Sequence, residues 1–236
     1  MTKLIAFDLD GTLTQHKTTL PDENRKILDR LRKRYALVMV GAGRCARIFS
    51  QMQNYPIDII GNYGLEYARY DNEAQALTMV RDLVFDCDRA TITKKITKLR
   101  RRFGFTEYAG ESVEFHASGC VTFPLLGTAA KQEDKLVFDP DREKRRAIYS
   151  AVKSAFPEYK VFIGGSSSFD MAPAPFDKYY ALDLYCNEHN YLHNEVVFVG
   201  DDFGIGGNDE SVYISDFGFI KVTDYRKLED FLKELL

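Results

Sequence analysis

Cysteine is scarce. Cys45, Cys87, Cys120 and Cys186 are the only four in 236 residues, and no two sit at a Cys-x-x-Cys spacing. That argues against thiolate metal sites and the dithiol redox motif, and leads us to expect reduced thiols in a cytoplasmic protein. No apolar run approaches the roughly 20 residues that a bilayer-spanning helix needs, so a membrane protein is not expected. Met1-Thr2-Lys3 leads straight into an apolar strand, so no signal peptide is expected. The formal net charge is only -3, whereas a general nucleic-acid binder carries a strongly basic face. Repeats and low-complexity segments are missing too. What remains is an ordinary globular composition, 45% hydrophobic and 28% charged, long enough to bury a sizeable core.

The chain is organised around Leu4-Ile5-Ala6-Phe7-Asp8-Leu9-Asp10-Gly11-Thr12. Leu4 to Phe7 reads as a short buried strand, which ends in two carboxylates two residues apart and a glycine turn. If the backbone stays extended, Asp8 and Asp10 project to one side. Like charges that close repel each other. A divalent cation with oxygen ligands relieves the repulsion and leaves one carboxylate available as a nucleophile. Taken alone, Asp-x-Asp-Gly is more simply an acidic turn. The rest of the chain must therefore supply a further acid and a lysine.

Apolar runs at Ala36–Val40 and Ile57–Ile60 alternate with helical stretches over 21–35 and 44–53. This β-α-β-α-β pattern predicts a parallel sheet, with ligands bound off the carboxyl ends of its strands. Asp8, Asp10 and the Gly41-Ala42-Gly43-Arg44 loop all fall there. The alternation then lapses. Helices over 74–85, 89–102 and 141–155, with strands over 112–116, 120–123, 161–163 and 167–171, predict an α+β insert. The basic run from Lys94 to Arg102 reads as a solvated helix face. The parallel pattern resumes with a helix over 177–189 and a strand over 195–199. Short strands at 212–214 and 219–222 and a terminal helix from Asp224 complete it. The expected fold class is α/β: a Rossmann-like parallel-sheet core of residues 1–73 and 172–236, interrupted by an insert of residues 74–171.

Four further features answer the question raised by Asp8 and Asp10. The strand at 195–199 ends in Gly200-Asp201-Asp202, a second acidic strand end able to share Mg²⁺ with the first. Lys178, at a helix start, can offset charge on a phosphate and hold the nucleophile. Gly41-Ala42-Gly43 offers backbone N–H groups at another helix start. Gly207-Asn208-Asp209 follows the second acidic pair. Each feature alone is ordinary turn or surface chemistry; together, at these strand ends, they describe a phosphoryl-transfer site.

These residues resemble the haloacid dehalogenase (HAD) superfamily of phosphotransferases. Asp8-Leu9-Asp10-Gly11-Thr12 matches its first motif and Lys178 its third. Gly200-Asp201-Asp202 with Gly207-Asn208-Asp209 matches its fourth. The insert is similar to the larger cap of one subgroup, which includes sugar phosphatases and eukaryotic-type phosphomannomutases. Gly164-Gly165-Ser166-Ser167-Ser168-Phe169-Asp170 followed by Phe176-Asp177-Lys178 is most similar to the phosphomannomutases. The resemblance implies Asp8 as nucleophile, Asp10 as proton carrier, and Mg²⁺ held by Asp8, the Asp10 carbonyl and Asp201. Gly41, Ala42, Gly43, Asp202, Asn208 and Asp209 would orient the phosphate or the ion's waters. Lys17, Arg44, Lys135, Ser168 and Asp170 are the implied substrate contacts. The expected partner is a small phosphorylated sugar, and a homodimer through the cap is implied as well.

The departures point the other way. Where phosphomannomutases grip the non-reacting phosphate with arginines, this chain aligns Lys17, His116, Thr128 and Lys135. Lysine lacks the planar two-pronged grip, and Thr128 carries no charge. Ala42 replaces the hydroxyl residue of the superfamily's second motif. The expected function is therefore a Mg²⁺-dependent sugar-phosphate phosphatase. A hexose-phosphate mutase is the alternative enzyme, and a catalytically silent sugar-phosphate-binding domain is the alternative of another class.

Overall fold

Leu4, Ile5, Ala6 and Phe7 are fully buried and form β1 (Leu4–Phe7), an interior strand of a seven-stranded sheet in the computed structural model, which describes residues Met1 to Leu236. Pro21 then opens α1 (Asp22–Leu31), with Asp22 and Glu23 in its first turn facing the positive end of the helix dipole. Ile27, Leu28 and Leu31 bury one face of that helix. Next come β2 (Ala36–Val40), α2 (Cys45–Gln51) and β3 (Asp58–Gly61). β1 pairs with β2, and β2 with β3, in parallel.

The sheet then turns antiparallel, through β4 (Glu66–Asp71) and β5 (Ala76–Asp82). This corrects the helix expected over 74–85. Asp71 Oδ1 accepts the backbone N–H groups of Glu73 and Ala74, and Gln75 takes φ 50°, so the chain folds back as a hairpin. β5 is the outer strand, and its Met79 and Val80 are both exposed. No alternation between an apolar and a polar face could therefore mark it as a strand.

Residues 84–176 and 205–208 form a separate compact unit. It contains α3 (Arg89–Phe103), β6 (Glu114–Phe115), β7 (Val121–Pro124), α4 (Gln132–Phe138), α5 (Glu143–Ala155), β8 (Tyr159–Gly164) and β9 (Ser168–Pro173). The four strands pair antiparallel in the order β6-β7-β9-β8, over a core that includes Ile96, Phe123, Val152, Phe156 and Phe169. The basic run of α3 is not wholly a solvated face. Arg100 is buried and donates to the carbonyls of Phe105 and Leu125 at 3.0 and 2.8 Å, so it ties the helix to the chain after β7.

The first unit resumes with α6 (Lys178–His189), β10 (Val196–Gly200), α7 (Glu210–Tyr213), β11 (Gly218–Lys221) and α8 (Leu228–Leu232). Its sheet order is β11-β10-β1-β2-β3-β4-β5. Residues 212–214 were expected as strand. Instead Val212 and Tyr213 lie in α7, because the Asp209 carbonyl accepts their N–H groups and starts a helical turn. The first unit comprises residues 1–83, 177–204 and 209–236. This division differs from the sequence-drawn one at both junctions, since β5 belongs to the large sheet and β9 runs on to Pro173. No helix is long and apolar enough to cross a membrane.

Candidate active site

Asp8 continues β1 by one residue, its N–H donating to Val199 O at 2.9 Å, and so reaches the carboxyl end of the parallel sheet. Asp201 sits one residue past β10, the neighbouring strand. Lys178 is the first residue of α6, whose N-cap Asp177 accepts the Tyr180 N–H at 2.8 Å. That cap fixes the helix start and aims the lysine inward. Lys178 Nζ lies 2.6 Å from Asp8 Oδ1 and 2.6 Å from Asp209 Oδ1, and the lysine has no exposed surface.

Asp209, expected to orient water or phosphate, has another job here. One oxygen holds Lys178 and the other accepts the Asp202 N–H at 3.0 Å. Thr12 enters the sequence pattern only as the end of the first motif. It is fully buried, and its hydroxyl donates to Asp201 Oδ1 at 2.9 Å. Carboxylate oxygens of Asp8, Asp201 and Asp209 fall within 4.8 Å of one another.

One ammonium cannot neutralise three carboxylates so close together. Burial, reinforced by the Asp201 charge and opposed by Lys178, pushes Asp8 up to about 7. Burial and the Asp209 charge raise Asp201 to about 6, and burial raises Asp209 to about 6 against the pull of Lys178. Burial works against the Lys178 charge, yet Asp209 and Asp8 outweigh it and hold the lysine protonated. A group that would otherwise take up protons near neutrality is suited to a divalent cation. Both Asp209 oxygens are engaged, and Asp8 Oδ1 and Asp201 Oδ1 have partners as well. Asp8 Oδ2 and Asp201 Oδ2 are thus the hard donors that suit Mg²⁺.

The Asp10 carboxylate lies outside this group. Its Oδ1 accepts from the Lys17 N–H at 2.7 Å and from Gln51 Nε2 at 2.6 Å, and Arg47 Nη2 stands 3.5 Å from its Oδ2. Lys17 therefore meets Asp10 through its backbone, at φ 58°. In the second-motif loop, Gly41 O and Gly43 O accept from Tyr63 and Asn62. Arg44 Nε is bound to the buried Glu66 at 2.9 Å, and the same carboxylate takes the Cys45 N–H at 2.7 Å. The N-terminus of α2, expected to cradle phosphate, is thus already partly occupied by a carboxylate of the chain itself. Gln51 and Arg47 carry no motif, and the sequence offered no signal for them.

Ser168, Asp170 and Lys135 belong to the second unit, as do His116 and Thr128. Ser168 Oγ donates to Gly164 O at 3.0 Å, and Asp170 Oδ1 accepts from Thr122 Oγ1 at 3.0 Å, both on the β7-β9-β8 sheet. Lys135 Nζ approaches Thr128 O at 3.4 Å. A ring nitrogen of His116 lies 3.0 Å from Thr122 Oγ1. Asn208 is in the short segment that clusters with this unit.

Comparison with known proteins gives one consistent picture. Residues 24–224 match the family described as eukaryotic phosphomannomutase. The phosphomannomutase of Saccharomyces cerevisiae is 26% identical over 228 residues, covering 90% of this chain and 85% of its own. That of Encephalitozoon cuniculi is 25% identical and covers 98% and 94%. Among solved structures, a HAD-superfamily phosphatase of Bacteroides thetaiotaomicron superposes with a TM-score of 0.63 at 18% identity, over 100% of this chain and 95% of that one. An IMP-bound IMP-nucleotidase of Plasmodium falciparum gives a TM-score of 0.69 at 15% identity, over 99% and 68%. At such identities the structural matches speak for the fold alone.

Proposed function

The chain belongs to the eukaryotic phosphomannomutase family, within the HAD superfamily, and from that premise we propose that it moves the phosphoryl group of a hexose phosphate through Asp8 and returns it to a sugar hydroxyl. The observation that carries the first half is the buried Asp8 at a strand end, with one oxygen fixed by Lys178 and its carboxylate grouped with those of Asp201 and Asp209. In this reading the Asp8 carboxylate attacks phosphorus and forms an aspartyl-phosphate as the bond to the sugar oxygen breaks. Lys178 keeps Asp8 oriented and offsets charge on the transferring group. Asp10 gives a proton to the departing sugar oxygen and later takes one from the incoming hydroxyl. Mg²⁺, when bound by Asp8, Asp201 and the Asp10 carbonyl, neutralises charge on the phosphoryl oxygens.

The family membership favours the mutase over the phosphatase expected from the missing arginines, because the relatives with this overall sequence are named phosphomannomutases. Loss of arginines bears on how tightly a second phosphate is held, not on the chemistry at Asp8. Hydrolysis remains the second reading, and one observation favours it: Lys17, His116, Thr128 and Lys135 offer no guanidinium for a bisphosphate. Incubation with Mg²⁺, mannose 1-phosphate and a hexose bisphosphate activator separates the two. Mannose 6-phosphate without net phosphate release is the expected result. Free phosphate without the isomer would overturn the mutase in favour of the phosphatase.

A further inference from the structure

The second-motif loop, Gly41-Ala42-Gly43-Arg44, has no hydroxyl with which to hold a phosphoryl oxygen. Its one cation, Arg44, is turned to Glu66. The space above the loop is nevertheless filled. A Cβ built on Gly43 would lie 2.2 Å from Arg47 Nη2 and 2.4 Å from its Nε, so the guanidinium of Arg47, one helical turn on, covers the glycine. Only glycine leaves room for it there. Gln51 Oε1 accepts from Arg47 Nη1 at 2.7 Å and sets the direction of the fork. Nη2 points towards the catalytic strand end, 3.5 Å from Asp10 Oδ2.

The charge around this group gives it a use. Asp8, Asp10, Asp201 and Asp209 crowd the strand ends, and Lys178 is spread between two of them. A phosphate dianion entering such a field gains from a further cation besides Lys178 and a bound Mg²⁺. Arg47 is 44% exposed, so solvent and ligand both reach it, and a guanidinium can face two phosphate oxygens at once. We propose that Arg47 binds the reacting phosphate, its guanidinium lying over Gly43 in a loop that carries no side-chain hydroxyl of its own. The proposal rests on the reading that Asp8 accepts a phosphoryl group.

The test is calorimetric titration of inorganic phosphate into the full chain with saturating Mg²⁺, compared for wild type, Arg47→Ala, Arg47→Lys and the double variant Arg47→Ala/Gly43→Ser. Arg47→Ala is expected to weaken phosphate about tenfold or more, as loss of a bond to a charged group does. Arg47→Lys should recover part of the loss. Gly43→Ser, which conflicts with Arg47 in the wild type, should recover part of it once the arginine is gone. Matching thermal melts show that the variants fold. Wild-type phosphate affinity in Arg47→Ala would overturn the proposal. The premise fails separately. If wild type binds phosphate through Arg47 but turns over no sugar phosphate, the phosphoryl-transfer reading falls and the binding assignment stands.

Discussion

Lys178 Nζ and Asp8 Oδ1 are 2.6 Å apart, and Lys178 is 0% and Asp8 5% exposed. The same ammonium reaches Asp209, so one side chain ties the end of β1 to the start of α7. Removing one member of a buried ion pair leaves the others uncompensated. Lys178→Met keeps most of the volume and removes the charge, so it should lower stability by about 3–5 kcal/mol at pH 8. It should also cut turnover by about 10²–10³-fold, as loss of an electrostatic stabiliser does. Urea melts and initial rates measure both. Wild-type stability in this variant would mean that the three groups do not share their charge as the geometry indicates.

Gly11 has φ 101°, and a Cβ there would lie 2.3 Å from Asp201 Oδ2. Gly11→Ala therefore meets backbone strain and pushes on the oxygen assigned to Mg²⁺. The strain alone should cost about 1–3 kcal/mol. Displacement of Asp201 should weaken Mg²⁺ binding as well, with the ion added in titration to the purified variant. If Mg²⁺ bound with unchanged affinity, Asp201 Oδ2 would not be a ligand.

The strand ends that carry Asp8 and Asp201 were legible in the sequence because a parallel sheet writes itself as short apolar runs, each closed by a polar turn. Lys178 was legible through Asp177, the cap residue before it. What stayed hidden depends on partners far away in the chain. Arg100 looked like one more charge on a basic helix, yet carbonyls of Phe105 and Leu125 make it a buried bracket. Arg145, also buried, meets Asp139 at 2.7 Å and the Gly164 carbonyl at 2.7 Å. β5 was misread as helix because an outer strand with Met79 and Val80 both exposed shows no period of two. At α2 the sequence pointed to Arg44, the residue beside the glycines. Glu66, which engages Arg44, lies on β4, a strand that the apolar pattern did not announce.

Magnesium and pH should act together on stability. Asp8, Asp201 and Asp209 are held above their unfolded value of 3.8, at about 7, 6 and 6. Groups raised in the folded state favour folding below their unfolded pKa, and that contribution is lost as pH rises through the folded values. Metal-free protein should therefore lose stability between about pH 4 and pH 7. Bound Mg²⁺ replaces the missing protons, so the rise in Tm on adding it should be larger at pH 8 than at pH 5. At a hundredfold excess over Kd, linkage gives about 2.7 kcal/mol. Scanning calorimetry with Mg²⁺ or chelator at both pH values decides it. Equal shifts at the two would exclude the acidic cluster as the ion's site.

His193 provides a second pH response in the first unit, away from these carboxylates. Its Nδ1 lies 2.8 Å from Asp216 Oδ1 and its Nε2 lies 2.9 Å from Asp183 Oδ1, while its ring stacks on Phe217 at 4.0 Å. Only the imidazolium can donate to both acids. Burial works against the charge, but the bonds to Asp216 and Asp183 outweigh it and raise the pKa above 6.5. The stabilisation is thus complete below pH 6.5 and is lost as pH rises through the folded value. His193→Gln removes the titration while keeping a polar side chain, so the stability gap between wild type and variant should be widest near pH 5.5. It should narrow steadily towards pH 9. Because the gap is a difference, the titration of the acidic cluster cancels from it. Urea melts of both proteins at several pH values supply the measurement, and a gap that stays constant with pH would show that the His193 contribution is packing on Phe217 and not charge.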